Sequence, residues 1–366
     1  MPKLQKNYKF IKVVLAKLYL KTINVNQDIG TMQLNIPELY KSVRLYFDEP
    51  THHYTDSLGN DYISTTTILH TYVPTFDKAY WLRKKSKELG ISEKELEANW
   101  KDITEYACNV GNNTHNGLEN AVKNGSKFQQ AIQYLCKDND KEMITVADLN
   151  TINAKYKLLD INQFIELTEN KYPDVYEVYQ KYTNMGYKIY AEIGFFLPTY
   201  LISGTIDVLL VRDDGYYVVG DYKTNRAKLQ FTSGYYRKDK KQKPVQITNE
   251  WVEKKETLLP PVNNLPNCNG SIYSLQTSLY AKAVGMITGM TLKGIWLLHI
   301  DCDYVLNEYG MPKRFPDGLY HIKDNPVEKT TFYIIPYREK EIELILADRK
   351  AKLKAQDVKR NFTLGL

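Results

Sequence analysis

The sequence predicts an α/β fold, a mixed central sheet flanked by helices, with a helical region ahead of it in the chain. Three observations carry this. Residues 187–224 read as a three-stranded antiparallel meander. Helical patterns dominate residues 64–185. Beyond the meander, a helical pattern from Ile272 to Thr288 leads into the apolar run Gly294–Ile300, which suits a helix crossing to a parallel strand.

Composition bounds the rest. The chain has 366 residues, enough for a sizeable core. Apolar residues at 43% and charged residues at 25% exclude a disordered or fibrous chain. No uncharged apolar run reaches about 18 residues, so no transmembrane helix is expected. The net charge of +6 permits a polyanionic partner without demanding one. Tyrosine is frequent, at 30 residues against 11 Phe and 4 Trp; tyrosines stack on bases but also fill cores with a polar tip. The four cysteines, Cys108, Cys136, Cys268 and Cys302, form no C-x-x-C pair, and an intracellular protein with reduced thiols is expected. Lys12 and Lys17 interrupt any signal-peptide core near the N-terminus.

The elements follow in order. Residues 1–40 carry no clear pattern. Val43–Phe47 alternates, Ser57-Leu58-Gly59-Asn60 is turn chemistry, and Tyr62-Ile63 resumes extended structure, so a small hairpin or meander is expected. Ser64-Thr65-Thr66-Thr67 offers N-cap hydroxyls to a helix carrying Ile68 and Leu69. Residues 77–145 then read as separate helical stretches. The first contains Trp81-Leu82-Arg83-Lys84-Lys85 and ends at Gly90, the next starts at Ser92-Glu93, and a third runs from Thr104 to Ala121 with a weak point at Val110-Gly111-Asn112. Helical propensity resumes from Ala147 to Asn184. The strands of the meander are 188–197, 201–211 and 216–223. Another strand is expected at Thr331–Ile335, and a charged helix at Glu339–Gln356. The organisation is thus a β-rich N-terminal extension over 1–63, a helical region over 64–185, and a core over 186–366. An irregular insertion occupies 225–270, where Pro260-Pro261 and Pro266 exclude regular structure.

Three acids sit on the meander: Glu192, Asp207 and Asp221. Lys223 lies two residues beyond Asp221, hence on the same strand face. A five-residue loop at 212–216 sets Asp207 opposite Asp221; a four-residue loop sends the two carboxylates to opposite faces. A four-residue loop at Pro198–Leu201 sets Glu192 opposite Asp207. Clustered carboxylates repel one another unless a cation intervenes or one is protonated. Their hard oxygens suit Mg²⁺ or Mn²⁺, and a lysine beside such an ion can stabilise charge developing on a phosphate. The competing reading of each acid–lysine pair taken alone is a solvated ion pair.

Gly204-Thr205-Ile206-Asp207, followed fourteen residues later by Asp221-Tyr222-Lys223-Thr224, resembles the PD-(D/E)XK nuclease superfamily, and most closely its RecB-type branch. Two further elements of that branch have counterparts in the same order. One is a helical histidine upstream, in Gly111-Asn112-Asn113-Thr114-His115-Asn116-Gly117-Leu118-Glu119. The other is a Q-x-x-x-Y helix downstream, in Gln276-Thr277-Ser278-Leu279-Tyr280. Tyr62–Leu69 followed by Trp81-Leu82-Arg83-Lys84, and the proline-rich run before Gln276, are similar to phage exonucleases and mitochondrial genome maintenance exonucleases.

The resemblance implies a restriction-endonuclease-like core and metal-dependent hydrolysis of DNA phosphodiesters, most readily as an exonuclease in phage DNA recombination, repair or replication. It implies His115, Asp207 and Asp221 as metal ligands, with the backbone carbonyl of Tyr222 and Glu192 as further candidates. Lys223 would orient the attacking water or neutralise the scissile phosphate, and Gln276 and Tyr280, four apart on one helix face, would position it or the DNA backbone. Mg²⁺ or Mn²⁺ is the implied cofactor, and no iron–sulfur cluster is expected. The implied partners are DNA, with single strands or strand ends favoured, and phage recombination or replication proteins, in the host cytoplasm and away from membranes. Trp81, Arg83 and Lys84 are candidate DNA contacts, against the plainer readings of a core aromatic and a solvated face. Glu119, four residues after His115, is either a partner for the imidazole or a solvated acid, and Gly117 leaves room for close backbone packing. His52, His53, His70, His299 and His321 have no partner spacing. Two other functions fit the same residues: an inactive DNA-binding scaffold on this fold, and a structure-specific endonuclease.

Overall fold

The structure is a computed structural model that describes residues 34–125, 141–149, 158–226, 228–316, 319–324 and 328–363, with side chains to residue 356. The N-terminal basic segment and Cys136 lie outside these residues. The elements are α1 (Glu38–Ser42), β1 (Leu45–Asp48), β2 (His53–Asp56), β3 (Asp61–Ser64), α2 (Thr65–His70), α3 (Lys78–Leu89), α4 (Glu93–Gly125), α5 (Ile161–Leu167) and α6 (Pro173–Asn184). There follow β4 (Tyr187–Leu197), β5 (Ile202–Arg212), β6 (Tyr216–Lys223), β7 (Gly234–Asp239), β8 (Gln246–Glu253), α7 (Asn269–Thr288), β9 (Thr291–Asp301), β10 (Lys329–Ile335) and α8 (Glu339–Thr363). No helix among the described residues is long and apolar enough to cross a membrane.

Local chemistry sets several ends. Ser64 caps α2, its hydroxyl accepting from Thr67 N–H, and Asp77 caps α3 by accepting from Tyr80 N–H. Gly90, at φ +70°, closes α3 in the left-handed conformation that glycine adopts without penalty. The stretches expected after Ser92 are instead one continuous 33-residue helix, α4. Gly111 does not break it, because it marks a close approach: a Cβ there would stand 3.2 Å from Thr224 Oγ1, just beyond β6. Packing against the sheet outweighs the weak local propensity.

The strands form one mixed sheet in the order β1-β2-β3-β5-β6-β9-β10, with β4 also paired to β5. The meander β4–β5–β6 is antiparallel. Helix α7 then crosses to β9, which runs parallel to β6, and β10 returns antiparallel to β9. Strand β4 covers one edge of β5, from Leu197↔Ile202 to Tyr187↔Arg212. The other edge is divided. Strand β3 pairs in parallel at Ile202–Ser203, and β6 pairs at Val208–Val211. Residues 204–207 lie at the opening between those two partners.

Helices cover both faces. On one face α2, α7 and α8 bury Ile68, Leu275, Leu279, Val284, Ile342 and Ile345 against Ile206, Val219 and Leu297. On the other, α4, α5 and α6 bury Leu118, Val122, Phe164 and Tyr179 against Val208, Val218 and Trp296. The segment 225–270 departs from the irregular insertion expected: it contains the hairpin β7–β8, paired from Gly234↔Glu253 to Asp239↔Gln246. The prolines that forbid strand structure, Pro260, Pro261 and Pro266, all lie beyond Glu253, so the hairpin stays free of them.

Two glycines have opposite roles, and substitution reads them apart. A Cβ on Gly220 would fall 2.2 Å from the buried Trp296 ring, whereas one on Gly117 meets nothing within 4 Å among the described residues, so Gly117 serves no close packing with them. Gly220→Ala should cost about 1–3 kcal/mol as an overpacked core. Gly117→Ala should add about 0.5–1 kcal/mol by helix propensity. Urea midpoints of the two variants moving in these opposite directions are the expected result.

Candidate active site

The register sets the acids. Val211↔Tyr217 and Val208↔Gly220 continue to Asp207 opposite Asp221, the arrangement of the longer turn. Leu197↔Ile202 and Ile193↔Ile206 likewise set Glu192 opposite Asp207. At this pair both strands are kinked. Tyr190 and Ile193 pack on one face while Ala191 packs on the other, and Ile206 and Val208 are divided in the same way. Strict alternation would keep Ala191 with Ile193, and Ile206 with Val208. Glu192 takes up the irregularity at φ +51°, a left-handed conformation costly for a residue with a Cβ. The kink lies where β5's second edge is free between β3 and β6.

Helices on both faces reach this opening. From one face α4 brings His115, whose Nδ1 lies 3.4 Å from Asp207 Oδ2. One ligand atom each from His115, Glu192 and Asp207 lies within 4.8 Å of the others. Asp207 Oδ2 also accepts from Tyr222 N–H at 3.1 Å, which ties the acid to β6. From the other face α7 brings Gln276 and Tyr280. Lys223 Nζ donates to Gln276 Oε1 at 3.3 Å, and Gln276 Nε2 donates to Tyr280 OH at 2.8 Å. Lys223 Nζ also lies 2.5 Å from Asp221 Oδ2.

The electrostatics are strained. Asp221 is fully buried, and apart from that ion pair neither oxygen completes a well-angled hydrogen bond. Burial, and then the neighbouring Asp207 charge, pushes its carboxyl up to about 8. Burial and Asp207 likewise push Glu192 up to about 8, against the pull of Lys123. Burial pulls the Lys223 ammonium down, but the Asp221 and Asp207 charges more than reverse it, leaving Lys223 above its ordinary value. Such a cluster is satisfied by taking up protons or a cation.

Several neighbours escaped the sequence reading. Lys223 Nζ sits 4.6 Å from the centre of the Tyr273 ring. Tyr273 lies three residues before Gln276, so the helical period could have found it. Tyr222 packs edge-on to His115, and its hydroxyl bonds that of Tyr179, a pairing no spacing suggests. Glu119 pairs with Lys123. His299 is a buried core histidine whose Nε2 bonds Asn225 O at 2.5 Å, and His53 pairs with Asp61 at the surface. Trp81, Arg83 and Lys84 lie on α3, Trp81 partly buried and the two cations exposed, with Lys84 Nζ 4.9 Å from the Trp81 ring centre.

Two sets of contacts lie beyond the site. Helix α3 joins α4 through Lys78–Glu97. Burial, and then the Lys85 and Arg314 charges, hold the Lys238 ammonium of β7 below its ordinary value. The segment after β9 grips the hairpin, Tyr309 OH donating to Asp239 Oδ2 at 2.5 Å and Asn307 Nδ2 to Ile247 O at 2.9 Å.

No protein-family model, curated protein or solved structure matches this chain.

The raised carboxyls make a pH-dependent stability. Unfolded, Glu192 and Asp221 ionise at their ordinary values of 4.5 and 3.8; folded, they hold their protons to about 8. The unfolded state therefore binds fewer protons across this window, and stability falls as pH rises through it. In EDTA, the thermal midpoint should fall from pH 5 to pH 8. Glu192→Gln should raise the midpoint at pH 8 and change it less at pH 5.

Proposed function

We propose that this protein is a metal-dependent nuclease that hydrolyses DNA phosphodiesters, built on a PD-(D/E)XK core of the RecB type. The observation that carries the reading is the grouping of His115, Glu192 and Asp207 at one opening in the sheet, with Asp221 paired to Lys223 beside it and Gln276 and Tyr280 behind the lysine. Two acids held up to about 8, one of them with buried oxygens lacking good hydrogen bonds, fit a divalent cation better than they fit any other arrangement of these side chains. The carboxylate oxygens suit Mg²⁺ or Mn²⁺.

His115, Asp207, Asp221 and Glu192 would hold the ion, and the Tyr222 carbonyl is a further candidate. A bound ion would polarise the phosphate and ease deprotonation of water. The chain's own residues do the rest. Lys223, kept charged by its acids, would neutralise a phosphate oxygen once Asp221 turns to the cation. Gln276 holds the lysine by its amide oxygen and is itself held by Tyr280, so the ammonium keeps one position.

An exonuclease is the mode that the resemblance to the RecB-type branch favours. A role in phage DNA recombination, repair or replication, in the host cytoplasm, belongs to the same reading.

The test is degradation of end-labelled linear DNA, single- and double-stranded, in Mg²⁺, Mn²⁺ or EDTA. Cleavage should need metal and fall by at least about a hundredfold in Asp221→Ala and in Lys223→Ala. Circular single-stranded DNA should survive. Its cleavage would instead indicate an endonuclease, and binding without cleavage on every substrate would indicate a scaffold.

A further inference from the structure

Helices α3 and α4 meet at a cleft of about 650 Å³, a size that admits a nucleobase. Phe76 and Trp100 line it, with Lys78, Lys94 and Lys101 also in its walls. Phe76 is 62% exposed, the most exposed of the aromatic rings among the described residues. It stands between two indoles. The Trp100 ring centre lies 6.4 Å away at 55°, and that of Trp81 lies 6.5 Å away with the planes parallel to within 5°. Trp100 shares the cleft wall with Phe76, while Trp81 packs beside Phe76 outside that wall.

Charge points to the same occupant. Glu97 is the one acid in the cleft wall against three lysines; it is paired with Lys78, and Lys101 is paired with Glu105. Lys94 makes no ion pair among the described residues. Lys84 and Lys85 flank the Trp81 ring at 4.9 and 6.0 Å from its centre. Aromatic faces interleaved with lysines are the chemistry that holds unpaired bases and their phosphates.

We propose that this cleft binds an unstacked base of a single nucleic-acid strand, with Phe76 as the stacking residue. This rests on the nuclease reading and adds to it a second grip on the substrate. Trp100 and His115 are fifteen residues apart on one helix, about 22 Å along its axis at 1.5 Å per residue. That is about six steps of a stacked strand. The cleft therefore holds the strand well away from the bond being cut, and favours single over double strands, because a paired base cannot leave its stack without cost.

The test is binding of a labelled oligothymidylate of about 20 nucleotides in EDTA, followed by fluorescence anisotropy. Phe76→Ala should weaken binding about fivefold to a hundredfold. Phe76→Tyr, which keeps the ring, should bind within about twofold of the parent; Phe76→Leu, which keeps only apolar bulk, should not. Tryptophan emission should fall on binding, and fall less in Phe76→Ala. Binding to a blunt duplex should be indifferent to all three substitutions. Equal affinity across the variants, or full rescue by Phe76→Leu, would overturn the stacking role. If the parent still degrades the oligonucleotide with Mg²⁺ in that case, the nuclease reading stands without it. A parent that neither binds nor cleaves any nucleic acid sinks both.

Discussion

Three carboxylates share one opening in the sheet, and much of the molecule serves to keep them there. Glu192, Asp207 and Asp221 come from three consecutive strands whose registers set them opposite one another. Left to themselves they would separate or be hydrated. Backbone pairing of β4, β5 and β6 prevents the first, and burial under helices on both faces prevents the second. The repulsion is instead met by the ammonium of Lys223 and by protons held up to about 8. Such an arrangement lowers stability locally and must be supported by packing elsewhere. Trp296, laid across Gly220, and the unbroken helix α4 are parts of that support.

The divided edge of β5 is what makes the site two-sided. A continuous sheet would separate α4 from α7 completely. Because β3 leaves β5 at Ser203 and β6 joins it at Val208, the space beside Asp207 is open. His115 approaches Asp207 from the α4 face, while Gln276 holds Lys223 on the α7 face. An imidazole, three acids and an ammonium can then meet without any of them crossing a closed layer. The kink at Glu192 and Asp207 belongs to the same feature: the β4–β5 ladder skips this one pair, and no described strand pairs with β5 there on its other edge.

Much of this was legible in the chain. The meander, the Gln276 helix crossing to β9, the Ser64 cap and the Gly90 stop follow from short-range patterns that need no tertiary information. The helical spacing of Gln276 and Tyr280 appears unchanged as a hydrogen bond between them. Other features were misread where a long-range contact overrides local preference. Gly111 looked like a weak point and is a place of close approach, while Gly117 looked like close packing and has none with the described residues. The hairpin at 234–253 was hidden by prolines that lie just beyond it. Phe76 drew no attention because its significance lies in two indoles, one of them 24 residues further on.

By itself the sequence determined the meander, the Gln276 helix and the strand it crosses to, the parity that puts Asp221 with Lys223, and the acids and lysine that meet at the opening. These depend on periods of two and 3.6 residues, which are properties of the local backbone. Only the tertiary structure decided which turn length was used, and hence that Asp207 faces Asp221. It also decided that alternation breaks at Glu192 and that His115 and Lys223 reach one opening from opposite faces. Those outcomes depend on how β3, β6, α4 and α7 share the edges and faces of a single strand. Residues far apart in the chain settle that together, through burial that none of them achieves alone.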